Sequence, residues 1–151
     1  MTDFYKTPLY NNHEEMGAKL IPFSGFLMPL QYSGIIEEHK HVRTKVGIFD
    51  VSHMGEFIVK GENAKQFLQK VTTNDIESLK VGKAQYTAIC NEDGGILDDF
   101  VIYNLSSYYM LVVNAANTEK IFNWLKKNLM DKVELKNISD KMSLLAIQGP
   151  L

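Results

Sequence analysis

Cysteine is nearly missing from this chain. Cys90 stands alone among 151 residues, so no internal disulfide and no cysteine-rich metal cluster can form. Such usage suits a reducing compartment. Arginine is equally scarce. Arg43 is the single guanidinium, too few for a site that grips phosphate or carboxylate bidentately. Neither sign of charge dominates, with 16 Lys and Arg against 18 Asp and Glu and a formal net charge of -2. The electrostatic footprint of a nucleic-acid or anionic-membrane binder is therefore lacking. No apolar run approaches the roughly 20 residues of a membrane span. The opening Met1-Thr2-Asp3-Phe4-Tyr5 has neither the basic nor the apolar region of a secretory leader, and it is not Arg-rich like a mitochondrial one. A cytoplasmic location is expected, or the mitochondrial matrix if a transit peptide has been removed. Also missing are a G-x-G-x-x-G fingerprint, a Lys-Ser/Thr after Gly94-Gly95, a G-x-S-x-G elbow, internal repeats and low-complexity segments.

What is present is globular. Hydrophobic residues make up 45%, enough for a core. Thr7-Pro8 reads as a helix start, with Gly17 as its left-handed cap. Leu20 to Phe23 and Phe26 to Tyr32 read as short strands, the second an edge or irregular one because of Pro29. A helix is predicted from about Ile35 to Val46, with Ile35, Ile36, His39, Val42 and Val46 on its apolar face and Gly47 as its stop. From Gly55 onward the pattern reads β-α-β-β-β-α-β. The strands are Glu56 to Lys60, Ala84 to Asn91, Ile96 to Asn104, Tyr108 to Asn114 and Val133 to Lys136. One helix carries Ala64, Phe67, Leu68 and Val71, and the other Ile121, Phe122, Leu125 and Leu129 after a cap at Asn117 or Thr118. This order predicts an α+β layer, an antiparallel sheet with two helices on one face. Ser143 to Gln148 reads as a last strand, followed at once by the Gly149-Pro150 turn. Domains seldom finish this way, and the end is expected to be a truncation.

Candidate chemistry concentrates in the hairpin around Glu92-Asp93-Gly94-Gly95. Alternation puts Asp99 on one face with Leu97, Val101 and Tyr103, and Asp98 on the other with Ile96, Phe100 and Ile102. With Gly94-Gly95 as the turn, Tyr86 faces Tyr103 and Cys90 faces Asp99. With Asp93-Gly94 as the turn, Tyr86 faces Val101 and Ala88 faces Asp99. Both registers put Tyr86, Asp99 and Tyr103 on one face, and a three-residue loop would break that result. Two tyrosines beside a carboxylate suit a flat ring: aromatic walls and one acceptor to orient a nitrogen. They equally suit a satisfied structural carboxylate among sheet tyrosines.

Other groups read as structural. Asp50, Ser52 and His53 do not make a triad, since Ser and His adjacent in an extended segment point apart. His39 and His41, two apart on a helix, cannot face one metal. His13 and His39 are expected on helix faces against a core. Cys90 reads as an inert thiol, and Asn114-Ala115-Ala116-Asn117 as a helix cap.

Taken together, Thr7-Pro8-Leu9-Tyr10, Gly17-Ala18-Lys19, Met28-Pro29, Asp50-Val51-Ser52-His53-Met54-Gly55, Thr73-Asn74-Asp75, Asn91 through Asp99, Val113 through Asn117 and Gln148-Gly149-Pro150 are similar, in order and spacing, to the aminomethyltransferases, the T-proteins of the glycine cleavage system. The resemblance implies three domains around a folate channel in a chain more than twice as long. It divides this chain into 1–54, the first part of a discontinuous folate-binding domain; 55–137, a complete ferredoxin-like α+β domain; and 138–151, a return into the first. It implies transfer of the aminomethyl carbon from lipoylated H-protein to tetrahydrofolate in glycine catabolism. Tetrahydrofolate would be a co-substrate, with no metal and no flavin, and the 151-residue chain alone would be inactive. Asp99 would be the catalytic carboxylate beside the attacking folate nitrogen. Tyr86 and Tyr103 would line the pocket, together with Met54, Val101 and Asn114, and Asp98 would keep a structural role. The implied partners are H-protein and folate, with no nucleic acid and no membrane. A flavin-carrying relative that oxidises methylated glycines would need the absent G-x-G-x-x-G. A non-enzymatic folate-binding relative in iron–sulfur maintenance is the alternative.

Overall fold

A computed structural model describes residues 4–151. In chain order the elements are β1 (Tyr5–Lys6), α1 (Tyr10–Glu15), β2 (Lys19–Phe23), β3 (Phe26–Gln31), α2 (Ile35–Thr44), β4 (Gly47–Asp50), β5 (Gly55–Lys60), α3 (Ala64–Val71), β6 (Ala84–Cys90), β7 (Ile96–Asn104), β8 (Tyr109–Val113), α4 (Thr118–Lys127), β9 (Glu134–Asn137) and β10 (Leu145–Gln148). They fall into two compact units, one reaching to His53 and including Met142–Leu151, the other Met54–Lys141.

The second unit has the mixed α+β architecture that the periodicity predicts. Its sheet runs β6-β7-β8-β5-β9, with every pairing antiparallel. That is the ferredoxin-like order of last, first, third and second strand, extended by one edge strand, β6. One face carries Phe57, Val59, Ile89, Phe100, Ile102, Leu111 and Val113. These pack with Ala64, Phe67, Leu68 and Val71 of α3 and Ile121 and Leu125 of α4. Both helices lay an i, i+3, i+4 stripe on the sheet, and burial of these side chains is the main source of the unit's stability. The second helix ends at Lys127, so Leu129 is not on its face and remains 38% exposed.

The hairpin between β6 and β7 explains which register wins. Asn91 N–H donates to Gly95 O at 2.8 Å and Gly94 N–H to Asn91 O at 3.1 Å, while Gly95 N–H meets Asn91 Oδ1 at 2.6 Å. The loop is thus Glu92-Asp93-Gly94, with Gly94 at φ 80° and the geometry of a three-residue connection. Neither two-residue turn is formed. A shift between Ile89 and Cys90 then restores the pairing Tyr86↔Val101 and Ala88↔Asp99. The bulge absorbs the extra residue, and Tyr86, Asp99 and Tyr103 stay on one face.

The first unit departs more from expectation. Its sheet is β1-β3-β2, and β10 pairs with β4 in a separate ribbon. β3 lies between β1 and β2 and is not an edge, but it is irregular beside Pro29 as expected: its pairing with β2 shifts from Leu20↔Pro29 to Lys19↔Gln31, and β1 pairs only with Phe26 and Leu27. The first helix starts at Tyr10, not Pro8; Gly17 does take φ 74° after it. α2 stops at Thr44, and Gly47 opens β4 rather than ending the helix. None of its residues is buried, Ile35 and Ile36 are 53% and 70% exposed, and His39 is exposed rather than packed on a core.

Candidate functional site

The sheet face turned away from α3 and α4 holds the candidate residues. Pairing is continuous across four strands. Tyr86 lies opposite Val101, Val101 opposite Val112, and Val112 opposite Glu56. One row along, Ala84 faces Tyr103, Tyr103 faces Met110, and Met110 faces Ile58. One row the other way, Asp99 faces Ala88. Met54 directly precedes β5 and Asn114 directly follows β8, at the same end of the sheet as Asp99.

Asp99 is exposed, and Tyr86 stands beside it, 62% exposed. The Tyr86 phenol is pushed above its ordinary pKa, first by hydrogen bonding with the Asp99 carboxylate, then by desolvation and by the charges of Asp99 and Asp98. It therefore stays protonated and can donate. Val101 and Tyr103 are half-buried. The result is a carboxylate with Tyr86 beside it, at one end of a sheet face that continues through Val101 to Tyr103, a surface that can stack a planar ring and hold a polar atom at its edge.

Asp98 points the other way and is almost completely buried. Its Oδ1 accepts from Asn114 Nδ2 and Asn117 Nδ2, both at 2.9 Å, and Asn114 Nδ2 also reaches the Asp99 carbonyl at 2.9 Å. Asn117 caps nothing with its side chain. It and Asn114 lock the Asp98-Asp99 backbone to the entry of α4, so Asn114 is a clamp on the site's backbone. The sequence offers a signal for this in two asparagines bracketing Ala115-Ala116, but their partner is far away in the chain.

Glu56 is the residue that sequence reasoning missed. It is 0% exposed, and neither carboxyl oxygen has a hydrogen-bond partner. Burial pushes its pKa to about 7. A raised folded pKa means that stability is fully present below the unfolded value near 4.5 and is lost as pH rises through about 7. We predict that the protein loses up to about 3 kcal/mol between pH 5 and 8, and that Glu56→Gln removes this slope. Denaturant midpoints across that range check it, and equal slopes in both proteins would reject it.

The first unit holds a second polar cluster. Asp50 Oδ2 accepts from Thr7 Oγ1 and from His13 Nε2, both at 2.8 Å, and Oδ1 accepts from Ser52 N–H at 2.9 Å. His13 Nδ1 lies 2.7 Å from the Tyr32 hydroxyl. His13, not His53, is the histidine on Asp50. Ser52 Oγ bonds the Leu144 backbone, so Asp50, Ser52 and His53 form no triad. His53 sits edge-on to Phe23 and Phe26, and burial lowers its pKa despite the Asp50 charge. A groove of about 700 Å³ runs between α2 and β4, past Leu30, Ile35, Val42, Ile48 and Phe49. Asp50, His39 and His41 line it, and none of Met54, Tyr86, Asp99, Val101, Tyr103 and Asn114 does. Among the described residues, no cluster of His, Cys, Asp and Glu is arranged to hold a metal, and no helix is long and apolar enough to cross a membrane.

Comparison with known proteins agrees with the resemblance. Residues 9–151 match the family model of the GCVT N-terminal domain. An aminomethyltransferase of Chloroherpeton thalassium is 58% identical over 146 residues, covering 95% of this chain. One of Flavobacterium psychrophilum is 56% identical over 145 residues, with the same coverage. The chain spans 40% of the length of each. The crystal structure of glycine cleavage system aminomethyltransferase T from Bartonella henselae superposes with a TM-score of 0.92 at 38% identity, covering 98% of this chain and 41% of that one.

Proposed function

The chain belongs to the GCVT N-terminal domain family, and from that premise we propose that a protein of the relatives' full length carrying it is a tetrahydrofolate-dependent aminomethyltransferase of glycine cleavage. The observation that carries this reading is the sheet face that Asp99 shares with Tyr86 and Tyr103, joined to relatives named aminomethyltransferase. Nothing in those names supports the iron–sulfur alternative. In the proposed reaction the methylene carbon leaves the lipoyl sulfur and the amine nitrogen of H-protein's arm and becomes bonded to two nitrogens of tetrahydrofolate. The folate's two N–H protons balance the sulfur and the amine, which depart as thiol and ammonia.

Asp99 is proposed as the catalytic group. A carboxylate beside the attacking nitrogen orients it and stabilises positive charge as the carbon moves. Tyr86 and Tyr103 wall the ring and keep water from the electrophilic carbon. Val101 and Met54 supply apolar lining, and Asn114 holds the strand. Residues 1–54 and 138–151 are taken as parts of one discontinuous domain, with 55–137 as a complete one. The test is turnover of aminomethylated H-protein with tetrahydrofolate. The full-length protein is expected to form methylenetetrahydrofolate and ammonia, and the 151-residue chain alone is not. A full-length protein that binds folate but releases no ammonia would overturn the reading.

A further inference from the structure

The Thr73-Asn74-Asp75 motif has no part in the site described above, yet it is bonded to the strand that carries Tyr86. β6 is an edge strand of its sheet, paired with β7 alone. The outward backbone groups of an edge strand are left open unless something covers them. At Tyr86 and Ala88 the loop after α3 does so. Thr73 N–H donates to Ala88 O at 3.0 Å, and Thr73 Oγ1 accepts from Ala88 N–H at 3.2 Å. Asn74 Nδ2 donates to Tyr86 O at 2.6 Å, and Asn74 N–H donates to Thr87 Oγ1 at 3.1 Å. The loop is itself anchored. It leaves α3 next to the buried Leu68 and Val71 and runs into Ile76, which is 0% exposed and whose N–H donates to Gln69 Oε1 at 2.7 Å.

We propose that Asn74 is a positioning residue for the folate-binding face: its amide fixes the Tyr86 carbonyl and so sets how the Tyr86 ring stands beside Asp99. The inference rests on the folate reading above. Tyr86 is 62% exposed, so packing does little to hold its ring, and the direction of its Cα–Cβ bond comes from the backbone. That backbone is held from two sides. Tyr86 is paired with Val101 on one, and its carbonyl meets Asn74 on the other. A strand held from one side alone opens locally at lower free energy than one held from both. Thr73 does the same for Ala88, the residue paired with Asp99. In sequence the motif reads as an ordinary polar loop between a helix and a strand, because Tyr86 and Ala88 lie 12 and 15 residues beyond their partners.

The experiment is a double-mutant cycle in the full-length protein, read as affinity for 5-formyltetrahydrofolate, a stable reduced folate, in calorimetric titration. Asn74 is exposed, so its truncation opens no cavity. Asn74→Ala is expected to weaken binding about threefold or more when Tyr86 is present, and by less than about 1.5-fold in a Tyr86→Ala background, because an effect carried through the Tyr86 ring vanishes with it. A purely structural Asn74 would lower the melting temperature and weaken binding equally in both backgrounds, which overturns the inference. So does a folded Asn74→Ala protein that binds folate like the parent while Tyr86→Ala binds it more weakly; the functional reading then stands and this contact alone falls. If Asn74→Ala does not fold, the side-chain amide ¹⁵N resonance of Asn74 in the parent decides: it must move on folate addition, and an unmoved resonance overturns the inference. A Tyr86→Ala protein that binds folate like the parent takes Tyr86 out of the site and the inference with it. A parent that binds no reduced folate removes both the inference and the functional reading.

Discussion

Replacing Asp99 with asparagine in the full-length protein is expected to lower the turnover number by roughly two orders of magnitude, the typical effect of losing one preorganised electrostatic group. The substitution keeps the shape and removes the charge that would balance the developing cation. Folate affinity should change much less, because Tyr86, Val101 and Tyr103 still present the same surface. Asp98→Asn is the control. Its amide oxygen can replace Oδ1 as acceptor for Asn114 and Asn117, so the clamp on the Asp99 backbone survives and turnover should stay close to the parent's. The measurements are single-turnover rates, folate affinity and the unfolding midpoint of both variants. An Asp99→Asn protein that turns over like the parent, or a fully folded Asp98→Asn protein that does not turn over, would mean that the wrong carboxylate has been chosen.

That a choice between Asp98 and Asp99 can be made from sequence follows from the pleat. A strand assigns adjacent residues to opposite faces whatever the register, and the two possible two-residue turns differ by two in the sum of partners, which leaves the shared face unchanged. The three-residue loop would have broken the face assignment had the strands continued regularly. The bulge at Ile89 and Cys90 rescued it, and no local sequence signal announces that bulge. Helices and strands of the second unit were legible because each buries its own apolar stripe within the unit. In the first unit, Ile35, Ile36 and Val42 carry a helical stripe, but no residue of α2 is buried, so periodicity predicted packing that is not there. The sequence signalled nothing particular at Glu56, and it placed Asn117 at the cap of α4, where it stands, without showing that its side chain bonds Asp98 instead. Polar residues have default local explanations, and only the tertiary partner, or its absence, distinguishes the actual environment from the default. The same holds for Asp50, whose partners Thr7 and His13 lie 43 and 37 residues away.

Removal of the Asp50 carboxylate should be the most destabilising change in the first unit. Its side chain is 1% exposed and takes hydrogen bonds from Thr7, His13 and Ser52. Burial alone would raise its pKa, but the bonds from His13, Ser52 and Thr7 together outweigh burial and hold it below the ordinary aspartate value. The chain of donors is internally consistent. Burial and the Asp50 charge push the Tyr32 phenol up, so it keeps its proton and donates it to His13 Nδ1. The opposite ring nitrogen then donates to Asp50. Asp50→Ala strands all of these donors in a buried setting at once, at a cost of about 3–5 kcal/mol. For a chain of this size that corresponds to roughly 10 °C or more in melting temperature. Because the folded pKa is depressed, the carboxylate's contribution is present above the unfolded value near 3.8 and is lost as pH falls through the lower folded value. Asp50→Asn should therefore be less stable than the parent at neutral pH, and the gap should close in acid. Thermal unfolding of the parent, Asp50→Asn and Asp50→Ala from pH 7 down to 3 tests both parts. A change in melting temperature of under about 3 °C for Asp50→Ala would show that Thr7, His13 and Ser52 find other acceptors, and a gap to Asp50→Asn that stays constant into acid would show that the carboxylate's charge contributes nothing to the fold.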